Sequence, residues 1–343
     1  MNVSRKDNRE KEYTIIDAHS DIPYEVFLRR MDGERKILDT YQALRLKRGG
    51  VNIQVFAIYI EDRYKPARAL ELALRQIESL YSDLAESSEF MLIKNKMDLE
   101  MALKQEKIGV IIAMEGAEPI ESGIDLLHLF YRLGIRILGL TWNQRNTLAD
   151  GIDEINSRGG LTNYGRKVVE EAYKLGIIID VSHLAPAGVD DVLKYATGPV
   201  IASHCGAKSV YNHPRNLSDK HIGQIAETGG VIGVPAFPMI IGDAVPTVEN
   251  VVDHIMHMLR IAGDNHVGFG SDFIDYFSEL VSVGRMGKEW LVPEGGDTQG
   301  LSKPENIINL INAMTKRGLS QNTIKGVMGE NFLRIFNFVL PDN

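Results

Sequence analysis

"VNIQVFAIYI", residues 51–60, decides the architecture. Side chains alternate faces along a strand. Here Val51, Ile53, Val55 and Ala57 fall on one side, and Phe56, Ile58 and Ile60 on the other. A strand with one wet face reads apolar, polar, apolar. A strand covered on both faces reads as a near-continuous apolar run, the signature of a parallel sheet with helices packed against it.

Seven further runs of this kind lie outward from it: 14–21 ("TIIDAHSD"), 107–116 ("KIGVIIAMEG"), 134–143 ("GIRILGLTWN"), 176–183 ("GIIIDVSH"), 198–206 ("GPVIASHCG"), 229–237 ("GGVIGVPAF") and 266–273 ("HVGFGSDF"). Five of the eight begin at or directly after a glycine, as expected where a helix ends and a buried strand starts. Amphipathic stretches such as "PARALELALRQIESLYSDLAE" (66–86) and "VENVVDHIMHMLRIAG" (248–263) separate them. Eight strand–helix units without a break predict a closed (β/α)8 TIM barrel rather than an open doubly wound sheet. The first run carries no Gly-rich phosphate fingerprint, which argues against dinucleotide binding.

The 343 residues are 44% hydrophobic and 24% charged, an ordinary globular composition. Such a length fits one large α/β barrel, so residues 13–343 read as a single catalytic domain behind a mobile arm at 1–12. The Gly-rich segment 278–303 lacks periodicity and follows the last strand, which predicts a lid or rim over the barrel mouth. A net charge of −8 without a Lys/Arg cluster argues against a nucleic-acid partner. The single cysteine, Cys205, excludes an internal disulfide framework. The charged N-terminus has no apolar core, and no apolar run is long enough to span a bilayer. Together these predict a soluble cytoplasmic protein without membrane contact.

Polar residues gather at one end of the runs. His19 and Asp21 end the first, Glu115 the third, His183 the fifth, His204 the sixth and Asp272 the eighth. The C-terminal ends of barrel strands form the active-site face. Taken singly, an aspartate there reads as a helix cap and a histidine as a satisfied core residue. Buried together, several carboxylates call for a cation. Imidazole with carboxylate oxygen suits Zn²⁺, and also Mn²⁺, Fe²⁺ or Co²⁺. The ligand count fits two ions: one on His19 and Asp21, the other on His183 and His204, with Glu115 bridging and Asp272 left as proton shuttle. His254 and His257 read as a solvated helix face; His128, His221 and His266 read as structural; His213, beside Arg215, is left open.

The stretches "DAHSDIP", "AMEGAEPI", "LGIRILGLTWNQRNTLADG", "IDVSHLA", "ASHCGAKSVYNHPRNLSD" and "VGFGSDF", in this order, resemble the membrane dipeptidase family of amidohydrolase-like metal barrels. The resemblance runs from about Ile15 to Phe338. It implies a binuclear zinc site on His19, Asp21, bridging Glu115, His183 and His204, with Asp272 as acid/base. It implies that Arg215 holds the dipeptide carboxylate and that Tyr24 is an aromatic pocket residue. It further implies a homodimer, and tolerance of a D-residue at the C-terminal side.

Two positions depart from the family's animal members. Trp142, followed by Asn143, stands where they carry a histidine for the developing oxyanion, so the donor falls to Trp142, Asn143 or the metal. Phe237 replaces a tyrosine hydroxyl. The expected activity is zinc-dependent hydrolysis of dipeptides, the two ions activating a bridging water. The alternatives are β-lactam, lactone or other amide hydrolysis at the same site, or an inactive metal-binding barrel. Cys205 neighbours His204 in sequence, but adjacent strand residues point opposite ways, so it reads as a packed residue rather than a nucleophile.

Overall fold

In the computed structural model, which describes residues 13–242, 245–287 and 296–343, the strands alternate with helices and pair in parallel. They are β1 (Ile15–Asp17), β2 (Val51–Tyr59), β3 (Phe90–Leu92), β4 (Ile108–Glu115), β5 (Ile135–Gly139), β6 (Ile178–Asp180), β7 (Val200–Ala202), β8 (Val231–Val234) and β9 (Val267–Phe269). All but β3 form one ring in the order β1-β2-β4-β5-β6-β7-β8-β9. At the seam, the Ala18 N–H donates to the Phe269 carbonyl at 3.0 Å. This is the (β/α)8 barrel that the eight apolar runs predict.

The apolar runs omit β3, and the reason is geometric. β4 begins pairing with β5 only at Ile112, so its first residues leave an open edge. Phe90–Leu92 pairs with Ile108–Val110 and covers that edge. A three-residue patch carries no periodicity to detect.

Period-two alternation sorts the strand residues into two separate cores. Ile53 and Val55 of β2, Ile111 and Ala113 of β4, Ile137, Ile178, Ile201 and Val231 fill the barrel interior. Phe332 and Phe336, from the C-terminal helix Asn331–Val339, join that interior cluster. The intervening residues, including Phe56, Ile58, Val110, Ile112 and Leu138, pack outward with the surrounding helices. Following the same inward register, two steps beyond Val55 and one beyond Ala113, brings Tyr59 and Glu115 to the barrel mouth.

Most strands are shorter than the apolar runs. β1, β6, β7 and β9 have three residues each. The C-terminal part of these four runs leaves the ladder and carries its polar residues on a turn, whereas Glu115 stays within β4. His19 and Asp21 therefore do not share a strand face, as their two-residue spacing suggests. β1 stops at Asp17, and Asp21 is the N-cap of the helix Ile22–Met31.

The expected arm at 1–12 lies outside the described residues, as does 288–295 within the expected lid. The described part of 278–303 is more ordered than its composition suggests. A helix, Phe277–Ser282, buries Phe277 and Leu280. Further on, Thr298 Oγ1 donates to the Ala236 carbonyl at 2.6 Å, beyond β8. Among the described residues, no helix is long and apolar enough to cross a membrane.

Candidate active site

A cavity of about 300 Å³ opens at the C-terminal ends of the strands. His19, Asp21, Glu115, His183, Asp272 and Arg215 line it together with Trp142, Asn143 and His213. His204 closes its floor, almost fully buried at 1% exposure. The side chains predicted from run ends thus meet in one place.

The ring nitrogens and carboxylates converge closely. Glu115 Oε1 lies 3.0 Å from His183 Nε2, 3.5 Å from His204 Nε2 and 3.6 Å from His19 Nε2. His19 Nε2 is 3.9 Å from Asp21 Oδ1 and 3.8 Å from Asp272 Oδ1. Two triplets, His19–Glu115–His204 and His19–Asp21–Asp272, each bring their ligand atoms within 4.8 Å of one another. Asp272 thus stands among the ligand-type atoms themselves.

Hydrogen bonds fix what these atoms can offer. His183 Nδ1 faces the Asn143 side-chain oxygen at 2.6 Å, an acceptor, so Nδ1 carries the hydrogen and Nε2 the lone pair. His204 Nδ1 donates to Ser203 Oγ at 2.7 Å, because the serine hydroxyl is itself committed to the Asp180 carboxylate. Its Nε2 is therefore also a bare lone pair, 2.9 Å from that of His183. Asp21 Oδ1 is buried without a hydrogen-bond partner. A proton on Glu115 satisfies one of these approaches; a cation satisfies all of them. This donor set of imidazole and carboxylate fits a divalent transition metal.

The protonation preferences follow the same logic. Burial pushes Glu115 and Asp21 well up, with mutual carboxylate repulsion adding to it. Burial also raises Asp272 to about 6, against the pull of Arg215. Burial lowers His19 to about 3, and the Arg215 charge adds to that. Without a cation, burial biases each of these groups toward its neutral form.

Two loop positions carry unusual backbone. His183 (φ 66°) and Asp272 (φ 52°) are both left-handed without being glycine. Such residues are uncommon and gather at functional sites.

Arg215 sits on the loop after β7, where its guanidinium approaches the His204 carbonyl at 3.5 Å. Asn216 pins that loop: its side chain accepts from Gly206 N–H and donates to the Tyr211 and Ile240 carbonyls. Among the described residues, no carboxylate lies within 4.0 Å of Arg215, although it faces a cavity rich in them.

Some expected residues stand elsewhere. Tyr24 does not line the cavity: it is buried in the first helix with its hydroxyl donating to Glu61. Tyr59, against which Tyr24 packs edge-on at 6.4 Å, occupies the wall instead. Trp142 is on that wall beside Tyr59, with ring centroids 5.2 Å apart. Asn143 touches the cavity, but its side-chain oxygen is engaged by His183. Phe237 lines the opposite side.

His254 is fully buried rather than solvated, accepting from Ala207 N–H and donating to the Ile241 carbonyl. His257 pairs with Asp219 at 2.7 Å. His213 lines the cavity and accepts from the Arg215 N–H at 3.2 Å. The supporting residues Asp17, Asp180 and Ser203 escape a reading of run ends. Asp17 and Asp180 precede the histidines and look like caps. Each in fact ties neighbouring strands together, Asp17 through Ser271 and Asp180 through Ser203.

Cys205 is buried, with its thiol pushed up by burial, and touches Ser182 and Arg215 at 3.7 Å each. A buried, protonated thiol that contacts Ser182 and Arg215 rather than an imidazole nitrogen is not a nucleophile. The Cys205→Ala variant should keep most of its turnover, measured at saturating substrate; loss with metal content unchanged would contradict this packing role.

The chain is similar to known proteins along nearly its whole length. A family model described as membrane dipeptidase (peptidase family M19) matches residues 5–340. An uncharacterized dipeptidase of Schizosaccharomyces pombe is 29% identical over 94% of this chain and 80% of its own length. Dipeptidase 3 of Macaca fascicularis is 27% identical over 95% of this chain and 65% of its own. The crystal structure of a Rhodobacter sphaeroides metallopeptidase, solved with a phosphinate mimic of L-Ala-D-Ala, superposes with a TM-score of 0.80 at 24% identity, covering 95% of this chain and 99% of that one. The barrel, the imidazoles and carboxylates gathered at its mouth and the length of the match agree: the chain belongs to the membrane dipeptidase family, peptidase family M19, and is an enzyme of the metallo-dipeptidase class.

Proposed function

We propose that this protein hydrolyses the peptide bond of dipeptides, at a centre of two zinc-type ions. One ion would be held by His19 and Asp21 and the other by His183 and His204, with Glu115 shared. Bound there, divalent metal lowers the pKa of water towards neutrality and polarises the substrate carbonyl. The observation that carries the reading is a cluster of imidazole nitrogens and carboxylates sharing one cavity with an arginine that, among the described residues, has no carboxylate within 4.0 Å.

The side chains supply the rest. Arg215 pairs with the free α-carboxylate of the substrate, the fork geometry fixing its orientation. β7, which leads into the Arg215 loop, is opposite β2 in the eight-strand ring, so a substrate anchored there crosses the centre towards Tyr59 and Trp142. Asp272, beside the centre at the end of β9, takes the proton of the attacking water and returns it to the leaving amine. The apolar wall of Trp142, Phe237 and Phe277 excludes bulk water and strengthens these charge interactions.

A panel of L-Xaa-L-Xaa and L-Xaa-D-Xaa dipeptides, each with a free and an amidated C-terminus, tests the proposal by detection of released amine. Cleavage should be strong for free dipeptides and about 10²-fold weaker for the amides, the usual worth of a lost charged hydrogen bond. Equal rates on both forms would remove Arg215 from the role, and no cleavage by the metal-loaded protein would remove the activity.

A further inference from the structure

We infer that two separate hydrogen-bonded braces lock the imidazoles of His183 and His204, so that the His183/His204/Glu115 half of the centre is the tighter cation site and fills before the His19/Asp21 half. The inference rests on the metal-centre reading above and adds an order of loading, with the residues that set it.

The first brace is Asn143. Its side-chain oxygen, 2.6 Å from His183 Nδ1, holds the ring with Nε2 turned inward as a lone pair. Asn143 is fixed in turn. Its carbonyl accepts from Asp153 N–H at 2.8 Å, and a Cβ on Gly151 would fall 2.3 Å from that carbonyl, so only glycine lets the turn close on it.

The second brace is a relay. Asp180 Oδ1 accepts from the N–H groups of Ser182 and Ser203 at 2.9 and 3.0 Å. Asp180 Oδ2 accepts a hydrogen bond from the Ser203 hydroxyl, and Ser203 Oγ accepts from His204 Nδ1 at 2.7 Å. The Ser203 backbone is immobilised by two close approaches: a Cβ on Gly233 or Gly270 would fall 2.0 or 1.9 Å from its carbonyl oxygen. A carboxylate acting through a hydroxyl thus fixes the tautomer of His204 and raises the basicity of its Nε2.

The other half has no such support. Among the described residues, the His19 ring has no side-chain hydrogen bond; it lies against His204 with centroids 3.8 Å apart. Asp21 Oδ1 is unpartnered. These ligands must be ordered by the ion itself, whereas His183 and His204 are ordered in advance.

The experiment is titration of the metal-stripped full-length protein with Zn²⁺ against a colorimetric chelating indicator, with stoichiometry read by native mass spectrometry. Two ions per chain are expected, the first held at least about tenfold tighter than the second. Ser203→Ala and Asn143→Ala should each loosen the first ion about 10–100-fold and leave the second within about threefold. Asp180→Asn keeps the size but reverses the relay. Its amide N–H donates to Ser203 Oγ and frees the hydroxyl proton for His204 Nδ1, which moves the ring hydrogen to Nε2, so its loss should be at least as large. Asp21→Ala should keep the tight ion and lose the other. Asn143 lies at the half-buried rim and provides a folded variant if the buried substitutions disrupt the barrel. A single ion, two ions of equal affinity, braces whose loss shifts both ions alike or neither, or loss of the tight ion in Asp21→Ala would each overturn the inference. A wild-type protein that binds no divalent ion would instead overturn the metal-centre reading beneath it.

Discussion

Replacing Asp272 with asparagine is expected to lower kcat on dipeptides by about 10²–10⁴-fold, the range supplied by a positioned acid/base group. Asparagine keeps the shape and tolerates the left-handed backbone that Asp272 adopts. The fold should therefore survive, and the loss should be chemical. The amide cannot take a proton from water or return one to the departing amine. Because Asp272 Oδ1 also stands 3.8 Å from His19 Nε2, the variant separates two roles. Retained metal with a collapsed kcat assigns proton transfer. Parallel loss of an ion and of turnover makes Asp272 a ligand first. Unchanged kcat would remove it from the chemistry.

Stripping the metal is expected to abolish turnover and to change how stability responds to pH. An ion present at about 1,000 times its dissociation constant stabilises the folded state by about 4 kcal/mol, all of it lost on chelation. In the stripped protein the buried carboxylates then dominate. A carboxylate raised in the folded state contributes stability that is full below its unfolded value and is lost as pH rises through the folded one. For Asp272 that window runs from 3.8 to about 6. For Asp21 and Glu115 it starts at 3.8 and 4.5 and reaches well upward. The imidazoles act oppositely: His19, lowered from 6.5 to about 3, loses stability as pH falls through that interval. The two sets oppose each other in mildly acidic solution. Well above pH 6.5 the histidines are neutral whether folded or not, and the carboxylates act alone. Thermal melts of the stripped protein should therefore fall as pH rises, as Asp21 and Glu115 are forced to ionise, while the loaded protein stays level because the cation neutralises them. Parallel slopes for both forms would mean that these carboxylates are not ionising against each other.

The sequence exposes the barrel because continuous apolar runs have few other uses: β2 and β4 read as doubly buried strands and are so. It exposes the candidate ligand residues because a barrel places every run end on one face, which needs no knowledge of loop shape. What it hides depends on register and reach. Tyr24 and Tyr59 are both aromatic residues near strand ends, and only the inward alternation of β2 shows which one reaches the cavity. Asn143 reads as a donor for substrate until its oxygen is seen against His183. Asp180 and Ser203 belong to different strands, so their partnership exists only once β6 and β7 pair. β3 is too short for any periodic signal.

The left-handed backbone at His183 and Asp272 has a consequence for the history of the chain. Such a conformation costs a residue with a Cβ about 1–2 kcal/mol, and glycine almost nothing. The molecule thus spends fold stability at two of the positions to which the proposed chemistry is assigned. A lineage selected only for a robust barrel would gain by glycine at either place and would be silenced by the same step. If the proposed roles hold, persistence of histidine and aspartate at these positions among relatives would report use of the centre more directly than persistence of any residue in the apolar interior.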